Sequence, residues 1–140
     1  MEQLKGYYET YVEVAEEVWR NRPRWDGVLG LKSEVRDHPC HTKFFNSVET
    51  WMEEFVKSQP TQAQAEEVVS FVLHASDGHQ KEFIYFPMYA AHGMVRPLID
   101  YVSPQFAAET LAWYNKQHPR RERMPVHQEL FKLLKKRSNA

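Results

Sequence analysis

The chain has few of the features that announce a function. Its 140 residues hold one cysteine, Cys40. No internal disulfide can form, and the count fits a reducing compartment. No apolar run approaches the ~18 residues of a membrane span. There are five glycines, and none is arranged as a phosphate-cradling loop. A nucleophile elbow, a CxxC pair and an HExxH helix are all missing, so none of these signatures points to an enzyme. Net charge is only −1 at pH 7 and the pI is about 6.7. Both argue against a broad nucleic-acid footprint, which makes a nucleic-acid-binding helical domain a lesser alternative.

Enough apolar residues are present for one core. Hydrophobic residues make up 42% and aromatics 14%, and a chain of this length buries about two thirds of its unfolded surface. One domain over residues 1–140 is expected. The opening stretch, MEQLKGYYETYVEVAEEVW, is acidic and amphipathic, unlike a signal or transit peptide. A cytoplasmic, soluble protein without membrane contact is expected.

Charge is unevenly placed. From Arg120 to Ala140 there are seven positive and two negative residues, a net +5, against −6 for residues 1–119. A basic C-terminal segment on an acidic body points to an anionic partner, to the protein's own surface or to a second copy in a homo-oligomer.

Helical spacing dominates the chain, and no strand pattern stands out. Leu4, Tyr7, Tyr8, Tyr11, Ala15, Val18 and Trp19 define a helix over about 2–21. Residues 22–37 are irregular, a long internal loop of the kind that often carries function. A second helix runs over about 39–58, with Asp37 or His38 as cap and Pro39 in its first turn. A third, over about 61–76, starts at the candidate cap Thr61. The stretch 81–102 is apolar nearly all round, as in a helix surrounded by others. Ile84, Met88, Ala91, Val95 and Leu98 are its expected core, and Pro87, Gly93 and Pro97 should bend or break it. Two more helices follow over about 104–118, capped by Ser103, and 125–137. The expectation is an all-α fold of five to six helices packed as antiparallel hairpins, either a short array or an irregular bundle.

The segments TQAQAEEVVSFV (61–72) and SPQFAAETLAWY (103–114) repeat one another at an offset of 42 residues. Thr61 matches Ser103, Ala65 matches Ala107, Glu67 matches Glu109, and Phe71 matches Trp113. Residues 39–118 thus resemble the two-helix HEAT or armadillo repeat, whose period is about 40–47 residues. The resemblance is architectural. It implies a protein-binding surface and assigns no functional residue.

Helix direction sorts the histidines. With antiparallel packing, His38, His41, His74, His79, His118 and His127 fall at one edge, with Arg120, Arg121 and Arg123 beside them. His92 alone sits in the middle of a helix. Trp25 of the loop is expected to cover part of this edge. Imidazoles there can bind anions or metals, or respond near pH 6–7, and arginine forks suit carboxylates. The expected function is a non-enzymatic interaction module that binds an acidic segment of a protein partner at this edge, with no cofactor. The alternative is a small zinc protein or enzyme built on Cys40, His41, His74 and His79, whose ligand types suit zinc. Their spacings match no known zinc motif. Cys40 in a helix's first turn is expected to be either a thiol of lowered pKa or a buried, inert one.

Overall fold

The computed structural model describes residues 1–21, 38–77 and 88–140, without the side chains of residues 76, 77 and 88–90. Among the described residues there are six α-helices and no strands: an all-α fold. The helices are α1 (Glu2–Arg20), α2 (Pro39–Lys57), α3 (Gln62–Asp77), α4 (Met88–Val95), α5 (Pro104–Gln117) and α6 (Pro125–Ser138). Two 3-10 segments, Arg96–Tyr101 and Arg120–Glu122, follow α4 and α5. The chain divides into two compact units. The described part of the first is residues 1–21 and 38–53, and that of the second is 54–77 and 88–140.

In the first unit α1 packs on α2 through aromatic rings. Tyr11 stacks on Phe44 with centroids 4.6 Å apart, and Tyr8 tilts against the same ring at 6.1 Å. Leu4, Tyr11, Ala15, Phe44, Val48 and Met52 are buried. They recur at four- and seven-residue steps, which place side chains on one helical face.

In the second unit the starts of α3 and α5 are set by local devices. Thr61 Oγ1 accepts the Gln64 N–H at 3.2 Å while Gln64 Oε1 accepts the Thr61 N–H at 2.9 Å, a reciprocal capping box. Ser103 Oγ accepts the Phe106 N–H at 3.0 Å, and Pro104 fills the first helical position. Some matched positions share their environments and others do not: Ala65 and Ala107 are fully buried and Glu67 and Glu109 are exposed, whereas Val69 is buried and its counterpart Leu111 only partly.

The stretch expected as one helix over 81–102 is divided. Residues 81–87 lie outside the described residues. The α-helix ends at Val95, and Arg96–Tyr101 winds as 3-10. Pro97 accounts for the change, since it has no N–H and its ring crowds the carbonyl four residues back. Ala91, Val95 and Leu98 are buried as expected, with Met94 and Ile99. Ile84 and the Met88 side chain lie outside the described residues. This stretch packs on α3, where Val68, Val69, Val72 and Leu73 are buried, and on α6, where Leu130 and Leu134 are buried. Arg137 Nε donates to the Val102 carbonyl at 2.8 Å and ties the end of α6 to the end of the 3-10 segment.

Candidate functional site

The expected edge residues fall into three groups. His38, Cys40 and His41 belong to the first unit. His74, His118, His127, Arg120, Arg121 and Arg123 belong to the second. Trp25, His79 and the loop 22–37 lie outside the described residues.

His38 acts as the cap of α2. Its Nδ1 accepts the Cys40 N–H at 3.1 Å, which satisfies one of the unpaired donors of the helix start. His41 lies edge-on to Phe45 at 4.7 Å and tilted to Tyr11 at 6.0 Å. Cys40 is half-buried, and burial pushes its thiol above the usual range. Hydrogen bonds from the Cys40 and His41 N–H groups pull the other way without prevailing. The reading of Cys40 as a thiol of lowered pKa is therefore corrected. Desolvation of the thiolate outweighs the donors of the helix start.

The second unit carries a continuous row of rings. His74, exposed near the end of α3, donates from Nδ1 to the Ser70 carbonyl at 2.7 Å. It stacks on Trp113 of α5 with centroids 4.2 Å apart. Trp113 adjoins Tyr114 at 6.2 Å, and Tyr114 tilts against His118 at 4.5 Å. His118 stacks on His127 of α6 at 4.0 Å. Opposite helix directions bring the end of α5 and the start of α6 together, so these two rings meet across a short turn.

That turn holds the arginines, and they divide by role. Arg123 is fixed: its Nε donates to the His118 carbonyl at 2.8 Å, its guanidinium also binds the Asn115 side chain, and it lies 3.8 Å over the Phe131 ring. A cation over an aromatic face contributes about 0.5–2 kcal/mol, so this side chain staples the turn. Arg120 and Arg121 are exposed on the 3-10 turn. Among the described residues no carboxylate forms an ion pair with either.

His92, expected to be a core histidine or one facing a cavity, is mostly buried. Its Nε2 lies 3.5 Å from Glu129 Oε2, an ion-pair distance without hydrogen-bond geometry. Arg96 reaches the other oxygen of the same carboxylate at 3.5 Å.

Among the described residues no three His, Cys, Asp or Glu side chains gather where they could hold a metal ion. Of the four candidate zinc ligands, Cys40 and His41 lie in one unit, His74 lies in the other, and His79 is outside the described residues. Sequence reasoning overlooked Trp113, Asn115 and Phe131. Trp113 was visible only as the counterpart of Phe71, and the partners of Arg123 come from two helices that no local spacing connects. The chain matches no protein-family model, no curated protein and no solved structure.

Proposed function

We propose that the chain is a non-enzymatic interaction module of the helical-hairpin kind, akin in architecture to HEAT and armadillo repeats. It binds an acidic segment of a protein partner at the edge formed by His74, His118, Arg120 and Arg121. The observation that carries this reading is the pair Arg120 and Arg121, exposed side by side on a turn that Arg123 holds in place. A fixed turn presents the two guanidinium forks without a large entropy cost, and carboxylates accept such forks through both oxygens. The ring of Trp113 offers adjoining apolar contact of the kind enriched at interfaces. Lys132, Lys135 and Lys136 farther along α6 are also exposed.

The test is capture of partners from the native host by the wild type and by the double variant Arg120→Ala, Arg121→Ala. Gln62→Ala serves as control, since Gln62 is exposed and Gln64 is occupied in a cap. Loss of two such contacts should weaken capture about tenfold or more. Capture that survives the arginine changes and fails with Gln62→Ala would show the edge to be misplaced. A nucleic acid as the arginine-dependent ligand would instead favour the alternative reading, and its binding would fall steeply with salt.

A further inference from the structure

The start of α6 is closed by a histidine in one particular protonation state. His127 is buried, 4% exposed, at the third position of the helix. Its Nδ1 accepts the Met124 N–H at 3.1 Å. The imidazole thus satisfies the backbone donor of the residue that precedes the helix. An imidazole that accepts at Nδ1 carries no proton there, whereas imidazolium carries protons on both nitrogens. Protonation sets two donors, Nδ1–H and Met124 N–H, against each other.

The surroundings add to this. The start of a helix bears partial positive charge, which opposes a cation. From α5, Tyr114 and His118 face the ring at 6.1 and 4.0 Å. From the turn, Arg123 lies against the His118 carbonyl and Phe131. His92 of α4 and Arg96 of the 3-10 segment both reach Glu129. Glu129 lies two residues past His127, about 200° round the helix, so its carboxylate is on the other side of α6. Lys116, Glu122 and Asp100 are exposed.

We propose that the α5–α6 corner is a proton-sensitive latch: neutral His127 holds it closed, and a proton on Nδ1 releases the Met124 cap and the turn carrying Arg120 and Arg121. The latch stands without any ligand. Its influence on binding rests on the function proposed above.

The experiment is urea unfolding of the full chain at pH 5.5–8, for the wild type, His127→Gln and His118→Gln. Glutamine at this position can still accept the Met124 N–H but does not titrate. One linked proton changes the folded-to-unfolded ratio by up to about tenfold per pH unit. The ratio should fall with pH in the wild type, with a slope shallower by about one proton in His127→Gln and retained in His118→Gln. Equal slopes in the wild type and His127→Gln would overturn the latch. Should His127→Gln fail to fold, imidazole ¹⁵N resonances of the wild type decide. Nδ1 staying unprotonated until the corner opens supports the latch, and a protonated Nδ1 in the intact fold overturns it. Capture that is indifferent to Arg120 and Arg121 would remove the binding reading and leave the latch standing.

Discussion

The Ser103 N–H donates to Glu66 Oε1 at 2.9 Å, a bond that joins residues 37 apart in the chain. Ser103 is also the cap of α5, so the carboxylate of α3 sits beside the positive end of that helix. One side chain thereby fixes where the second of the two similar segments begins relative to the first.

Replacing Glu66 by Ala leaves a half-buried N–H without its charged acceptor. The expected loss is about 1.5–3 kcal/mol, the usual range for a hydrogen bond to a charged group. Glu66→Gln keeps an oxygen acceptor but loses the charge, so it should lie between the wild type and Glu66→Ala. Urea unfolding of the three proteins checks the order. Equal midpoints for the wild type and Glu66→Ala would mean that water replaces the carboxylate at no cost.

The stack of His74 on Trp113 joins the same two helices at the other end of α3. A double-mutant cycle with His74→Ala and Trp113→Ala should give a coupling of about 0.5–1.5 kcal/mol, as for other paired rings. A coupling near zero would make the stack a surface coincidence. His74 is exposed, so the low end of the range is expected.

These contacts divide cleanly by how far apart their partners lie in sequence. The caps at His38, Thr61 and Ser103 were legible because capping depends on a residue and the next two or three positions. The buried positions Ala91, Val95 and Leu98 were legible because an all-apolar stretch has nowhere to go but inside. The 3-10 winding after Val95 was only half legible. Pro97 announced a break, but the spacing does not say whether the chain kinks, stops or tightens. The burial of His127 was hidden, because a histidine counts as polar in any periodicity and its partner Met124 resembles no usual cap. The division into two units was hidden as well, since its boundary falls between Glu53 and Glu54, within the continuous stripe of α2. Of the candidate site, helix direction foretold the approach of His118 to His127. It could not separate Arg123, held by Asn115 and Phe131, from its exposed neighbours.

Burial raises the Cys40 thiol above the usual value of about 8.5. From about pH 8.5 up to the folded value, the folded chain keeps a proton that the unfolded chain has released. The stability contributed by this group is fully present below that window and is lost as pH rises through it. The urea midpoint should therefore fall more between pH 7.5 and 9.5 in the wild type than in Cys40→Ala. The thiol should also alkylate more slowly in the folded protein than in urea at pH 8. Burial raises the Tyr8 hydroxyl too, but from about 10, so its own loss lies higher. A Cys40 that alkylates as fast folded as unfolded would contradict the burial seen here.

Gln59 has φ +53°, in the left-handed region, and follows the end of α2 just before the buried Pro60. Helices often close with a residue in this conformation, and glycine is preferred there because a Cβ crowds the following carbonyl. That crowding costs an L residue about 1–2 kcal/mol. Glycine removes it but brings an entropy cost of its own of about 0.5–1 kcal/mol. Gln59→Gly should therefore stabilise the chain by about 0–1.5 kcal/mol, the difference between the two effects. Gln59→Val should destabilise it, since a β-branched side chain is the least tolerant of positive φ. Unfolding midpoints measure both. If glycine destabilises and valine is neutral, the backbone at 59 is not left-handed in solution, and α2 and α3 are joined by a different turn.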